Sequence, residues 1–444
     1  MTRAAATPPA AVVALLRSST LASAFATTAL GALFSTELLR NLMGDAGYGA
    51  IMVGLCLIGT AMLVARRREW RWFELMPTTL VALLLWLLVT TVWARDTGES
   101  ITGWLSLAAP TFLAVVVAQF RDTLQTVRTT GDVLRVLLTL SLALEVLSGI
   151  LIDLPIPFLG IGGNIAEGGP IQGIFGTRTA LGVVTIIALI TFLVEWRTRS
   201  VAPGVAVYSV TLAGVLAVFT QSPIVLVMAF IAGLATGILV LVRRTPARRR
   251  TTLQWVIASL VVVGLVLVYV FRRPLVYWLN AEPDFYTRSR LWNEILDLSE
   301  AFPVQGWGWA GSWPEGIMPF TYLRYLTGTD HGSALNAWMD VLLQAGAVGV
   351  VLLLAVTGLA LARAWMTASE RRSTVYVWAP LVLITLLADS IVTSALLGGF
   401  SWFLLVVCAT RASLVKGWRS GMDAGAGTGG GSGLPHSGAP GPLR

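Results

Sequence analysis

Twelve apolar stretches follow one another along this chain, at 20–38, 48–65, 77–94, 101–120, 133–152, 177–194, 205–220, 224–242, 252–271, 345–361, 375–389 and 391–408. Each is close to the roughly 20 residues that a helix needs to cross a bilayer. The expected fold class is therefore an all-α membrane protein of about twelve transmembrane helices. Composition agrees: 56% of the 444 residues are hydrophobic and 12% are charged, against about 25% charged in soluble domains. Such a chain makes one membrane domain, here 20–410, rather than several soluble ones. A short N-terminus, 1–19, precedes it, and a Gly/Ser/Pro-rich tail, 411–444, is expected to be disordered.

The net charge of +8 raises nucleic acid as a partner, but the basic residues sit in short clusters between apolar runs. They read as topology signals, and no nucleic-acid partner is expected. Positive charge is retained on the cytoplasmic side. One set of alternate connections holds 22 of the 31 basic residues, including Arg66, Arg67, Arg68, Arg121, Arg128, Arg243, Arg248, Arg371, Arg411 and Lys416. The other set holds eight: Arg40, Arg95, Arg178, Arg272, Arg273, Arg288, Arg290 and Arg324. The first set is expected inside, with both termini cytoplasmic. Cys56 and Cys408 both lie in apolar runs, so neither a disulfide framework nor a paired-cysteine metal site is expected.

Two connections on the expected outer side are not short. One is 153–174, rich in Gly, Pro and Ile, and the other is 272–334, between spans 9 and 10. Long loops in compact domains usually carry function. Within the second, Leu291, Trp292, Ile295, Leu296 and Leu298 recur at helical spacing with Glu294, Asp297 and Glu300 between them. The pattern predicts an amphipathic helix lying in the outer interface. Pro303 stops it, Gly306 and Gly308 permit a tight turn, and Trp307, Trp309 and Trp313 suit the headgroup level. Arg288 and Arg290 run against the positive-inside tendency. They bind either lipid headgroups or a specific phosphate or diphosphate, for which a planar guanidinium is well shaped.

Three segments resemble one family. RSRLWNEILDLSEAFPVQGWGWAG (288–311) looks like the Arg-Ser/Thr-x-x-Trp…Pro-x-x-Gly-aromatic-Gly segment of the O-antigen ligase and polysaccharide polymerase superfamily, with Arg288, Ser289, Trp292, Pro303, Gly306 and Gly308 in the matching places. LNAWMDVLLQAGAVG (335–349) is similar to that family's His-Asn-x9-Gly-x-x-Gly motif through Asn336, Gly346 and Gly349. GIFGTRTALG (173–182) resembles a third, with Arg178 as its basic residue and Thr179 in place of Asn. The resemblance implies a metal-independent, cofactor-free glycosyltransferase of the GT-C-like kind. It would move a glycan from a polyprenyl-diphosphate carrier onto a glycan or glycolipid acceptor at the outer face of the bilayer. Arginines must stabilise the negative charge of the leaving diphosphate, and a general base helps the attacking hydroxyl. Arg178 and Arg288 are the candidates for the first task, with Arg290, Arg324, Trp292, Asn336 and Asp389 as further substrate-binding candidates.

The chain departs from the family at the base. Leu335 holds the place of the motif's His, and His331 lies four residues earlier, on the same face if that stretch is helical. His331 is therefore either a displaced base or an ordinary loop histidine, and Asp330, Asp284 and Glu282 are alternatives. At 220–230, TQSPIVLVMAF carries Pro223 where the family often has Arg, a contact that Arg324 is placed to replace. Glu145 and Asp389 lie in apolar runs, where carboxylates are costly and are functional candidates by default; the alternative is a carboxylate satisfied by neighbouring helices. Asp340 is expected on a cavity wall. Beside the enzyme stand two other readings: a flippase of lipid-linked sugar, which Glu145 and Asp389 favour, and a non-catalytic member of the same fold, which Leu335 favours.

Overall fold

The computed structural model of the protein describes residues 10–67, 76–271, 274, 282–327 and 332–427. Each of the twelve apolar stretches overlaps a helix. The N-terminal half contains α1 (Ala10–Leu16), α2 (Ser19–Phe34), α3 (Thr36–Ala65), α4 (Thr78–Thr90), α5 (Thr97–Phe120), α6 (Thr123–Val146) and α7 (Arg178–Arg197). The C-terminal half contains α8 (Pro203–Phe219), α9 (Pro223–Arg244), α10 (Ala247–Val270), α11 (Glu282–Ser299), α12 (Phe320–Thr327), α13 (Ala337–Glu370), α14 (Trp378–Asp389) and α15 (Gly399–Gly427). Among the described residues there is no strand, only an isolated bridge between Ile156 and Ile161. Among the described residues, six helices are long and apolar enough to cross a membrane: α3, α5, α6 with its continuation to Ile152, α7, α9 and α13. Five shorter apolar helices accompany them. The last helix continues to Gly427, beyond residue 411, where the sequence pattern placed the start of the tail; 428–444 lie outside the described residues.

Helix ends follow the local chemistry. The Ser18 hydroxyl accepts from the Leu21 amide at the head of α2, and Asp96 does the same for Glu99 at the head of α5. Asp122 and Gln125 form a reciprocal box at the start of α6. These side chains satisfy amide groups that a helix leaves open in its first turn. Inside the bundle, α7 is deeply enclosed, packing on α6, α8, α9 and α14. Two buried tryptophans tie helices together: Trp378 Nε1 donates to Thr191 Oγ1 at 3.0 Å, and Trp402 Nε1 donates to Thr111 Oγ1 at 2.7 Å. Where lipid tails are as apolar as leucine, such bonds and close packing hold helices together. At the other extreme α10 exposes Val261, Val262, Val266 and Leu267, an apolar surface fit for lipid.

Within the connection 272–334, the described helices turn the apolar stripe of the amphipathic pattern largely onto protein. Its two helices, α11 and α12, close over the start of α13 as a cap with its own small core. Leu291, Ile295, Trp313, Phe320, Leu323, Ala334 and Leu343 are buried together. The apolar stripe of α11 meets protein rather than acyl chains, although Leu296 stays exposed. The same packing encloses two of the tryptophans assigned to the headgroup level: Trp309 is fully buried in protein and Trp313 nearly so.

The turn after α11 is built into α13. Helix α13 breaks at Gly346 (φ 65°, ψ −169°), and residues 303–308 fill the break. The Ala347 amide donates to Pro303 O at 2.9 Å, the Trp307 amide to Leu343 O at 2.9 Å and the Gly308 amide to Gln344 O at 2.9 Å. Amides and carbonyls released by the break thus find partners in the turn. Gly306 and Gly308 have positive φ, as the expected tight turn requires.

Candidate functional site at the cap end

Four of the residues singled out in the sequence meet where α11, the strap 332–336, the start of α13 and the segment after α14 converge. Arg288, on the second turn of α11, donates from Nη1 to Leu335 O at 3.1 Å and to Val392 O at 2.5 Å. It therefore joins two segments far apart in sequence. One turn on, Trp292 Nε1 donates to Ala334 O at 2.9 Å. Asn336 is the N-cap of α13: its Oδ1 accepts from the amides of Trp338 (2.9 Å) and Met339 (3.3 Å). Asp389 ends α14 beneath this cluster, where its Oδ2 accepts from Thr393 Oγ1 at 2.8 Å. Its Oδ1 is buried with no hydrogen-bond partner among the described residues.

Arg324 reaches the cluster from α12 by donating to Trp313 O at 2.8 Å. Arg178 and Arg290 differ from the other arginines. Arg178 is exposed on the first turn of α7, a helix packed along α14, and Arg290 is exposed on α11. Neither guanidinium has a side-chain partner among the described residues. His331, with Asp330, lies outside the described residues, and so do the side chains of Glu282 and Asp284. Leu335, in the place of the motif's His, has φ 52°, an unusual setting for a bulky branched residue.

The residue that organises this cluster is Asp340, which the sequence placed on a cavity wall. It is buried instead, at 1% exposure. Its Oδ1 accepts from Trp313 Nε1 at 2.7 Å and from Gln344 Nε2 at 3.4 Å. Its Oδ2 accepts from the Ala334 amide at 3.0 Å and from the Ser394 hydroxyl. Gln344 extends the network, accepting from the amides of Ala310 (2.8 Å) and Gly311 (3.0 Å) through Oε1. One carboxylate thus holds the cap turn, the strap and the segment after α14 in register. A carboxylate and an amide four residues apart at the head of an apolar run share one helix face; that was the available signal.

One oxygen of Glu145 is held by neighbouring structure, while Oε2 is buried with no hydrogen-bond partner among the described residues. Its Oε1 accepts from the amides of Gln172 (3.2 Å) and Gly173 (2.8 Å), so the connection 153–177 dips into the bundle and buries Ile171, Ile174 and Phe175. This anchor fixes the turn that delivers Arg178. Pro223 opens α9 as its first residue, while Gln221 Nε2 donates to Gly168 O at 2.8 Å and holds the same connection. No group of three or more His, Cys, Asp or Glu is arranged to hold a metal ion among the described residues.

The fold and site define a multi-pass α-helical membrane protein with a packed cap over one end of its bundle, and with exposed arginines at that end. Residues 208–354 match the family model described as O-Antigen ligase, which supports the superfamily that the three motifs resemble. The matched stretch includes the cap, Arg288, Arg290, Trp292, Arg324 and Asn336; Arg178 and Asp389 lie outside it. No curated protein matches the chain.

Proposed function

We propose that this protein is a glycosyltransferase of the bacterial cytoplasmic membrane, crossing it twelve times with both termini inside. It takes a glycan from a polyprenyl-diphosphate carrier at the outer face and joins it to an acceptor hydroxyl, as a ligase or a polymerase. The observation that carries this reading is the pairing of two kinds of arginine at the cap end. Arg288 is locked to Leu335 O and Val392 O, while Arg178 and Arg290 are exposed, with no side-chain partner among the described residues. In the reaction the bond from the anomeric carbon to the diphosphate oxygen breaks and a bond to the acceptor oxygen forms. The leaving diphosphate takes the electron pair, and fixed cations lower the barrier most where that charge develops. The acceptor proton passes to a base, for which His331 is the candidate. Arg324, Trp292, Asn336 and Asp389 hold the walls of this site. The alternative, a flippase of lipid-linked sugar, rests on the same two buried carboxylates, each of which uses one oxygen locally: Glu145 for the 172–173 turn and Asp389 for Thr393.

The test incubates purified protein with polyprenyl-diphosphate oligosaccharide and follows released carrier diphosphate together with glycan transfer. Transfer by the wild-type chain, lost in Arg178→Ala and Arg290→Ala variants that still fold, is the expected result. Movement of the lipid-linked sugar across the bilayer without bond formation would sink the proposal.

A further inference from the structure

A cavity lined in part by Arg411 lies at the end of the bundle away from the cap. It is a partly open cleft, about 420 Å³ of empty space with open solvent included, between the start of α6, the far end of α13, the start of α14 and the middle of α15. Helix α13 runs from the cap to this cavity: Asn336 caps its head and Ala364 lines the cavity 27 residues after Ala337. At about 1.5 Å per helical residue, the 18 residues from the break at Gly346 to Ala364 alone carry it roughly 27 Å away. The floor and walls are apolar, with Ala364, Trp378, Ala379 and Val407. The polar groups gather around Arg411, where Thr123 and Tyr376 also line the space.

Arg411 is only partly used by the protein. Nη1 donates to Ala118 O at a long 3.3 Å, and Nε is buried without a hydrogen-bond partner among the described residues. Asp122 lies near enough to attract the guanidinium, but its carboxylate caps α6 through the Gln125 amide at 2.7 Å and makes no ion pair with Arg411. A buried guanidinium donor lacking an acceptor is costly, and the acceptor that suits its planar fork is a phosphate or carboxylate. A second cation stands near the mouth, with the Arg371 guanidinium 5.4 Å from the centre of the Tyr376 ring.

We infer that this cavity binds a phosphate group, with Arg411 as its principal ligand and the apolar walls receiving whatever carries the phosphate. A guanidinium beside apolar walls suits the headgroup and glycerol root of an anionic phospholipid from the facing leaflet. A free phosphate offers the same chemistry to Arg411 and uses none of the apolar wall.

Thermal unfolding of the full chain in detergent tests this, with phosphatidylglycerol, phosphatidylcholine or inorganic phosphate added separately. The expected result is a higher Tm with phosphatidylglycerol than with phosphatidylcholine, lost in Arg411→Gln. Ala379→Phe fills the cavity while keeping the charge, and it removes the same response even if Arg411→Gln folds poorly. An equal rise with inorganic phosphate, lost in the same variants, assigns the site to a free anion. No response to either probe, or a response that survives in both variants, overturns the inference. None of these readings depends on glycosyl transfer, so they stand or fall apart from the function proposed for the cap end.

Discussion

Gly306 lies in the break of α13 at Gly346: a Cβ on Gly306 would sit 2.5 Å from the Gly346 amide nitrogen, and a Cβ on Gly346 would sit 2.2 Å from Val304 O. The two glycines come from different motifs, Pro-x-x-Gly-aromatic-Gly and Asn-x9-Gly-x-x-Gly, and they interlock. Ala at either position meets backbone, which cannot swing aside, and both glycines also have positive φ. Overpacking of this kind costs about 1–3 kcal/mol, and the φ adds to it. We expect Gly306→Ala and Gly346→Ala to lower Tm clearly and to loosen the cap. Gly358→Ala, helical with open space around its Cβ, should be neutral or stabilising by up to about 1 kcal/mol. Equal Tm values for all three would disprove the interlock.

The arginines should separate by stability. Arg288→Ala removes a donor from two backbone carbonyls and is expected to cost about 1–3 kcal/mol as well as transfer activity. Arg178→Ala and Arg290→Ala remove exposed side chains, so stability should stay within about 0.5 kcal/mol of wild type while transfer falls. Thermal unfolding and transfer assays on the same preparations give the answer. A large loss of Tm in Arg290→Ala with unchanged transfer would reverse the assignment.

Asp340→Asn keeps the shape of the side chain but replaces an acceptor with a donor amide among four donors. One of those donors must lose its partner, at about 1–3 kcal/mol. The Trp313 indole is bonded directly to Asp340, so near-ultraviolet circular dichroism of the cap should change with the stability. Ser394→Ala removes a single donor and should be milder. A silent Asp340→Asn would show that the network does not hold the cap.

Leu335 offers a test of the base. If His331 supplies it, His331→Ala should lower transfer by 10²–10⁴-fold, about the range typical of general base catalysis. Adding Leu335→His to that variant returns an imidazole to the family's position, where φ 52° is better tolerated by His than by most side chains. Partial recovery in the double variant is expected. Undiminished turnover in His331→Ala alone would exclude the displaced base.

Asp389 and the arginines were visible in the sequence because each breaks a local rule: a charge in an apolar run, or a basic residue on the sparsely basic side, stands out without knowledge of the fold. Asn336 was visible only through the motif that 335–349 resembles. Asp340 broke a rule less visibly, since an acid in the first turn of a helix is favourable on its own account.

What the sequence by itself determined is where helices run. Apolar runs near bilayer length, closed by Ser18, Asp96, Asp122 and Asn336, specify helices through local hydrogen bonding and composition, whatever surrounds them. What only the tertiary structure decided is which surfaces those helices hide. The stripe of α11 and the indoles of Trp309 and Trp313 suit lipid and protein equally well by pattern, and contact with α13 sends them to protein. Asp340 meets Ser394, and Gly306 meets Gly346, across tens of residues of chain. Such contacts arise from the packing of whole elements, so no local spacing announces them.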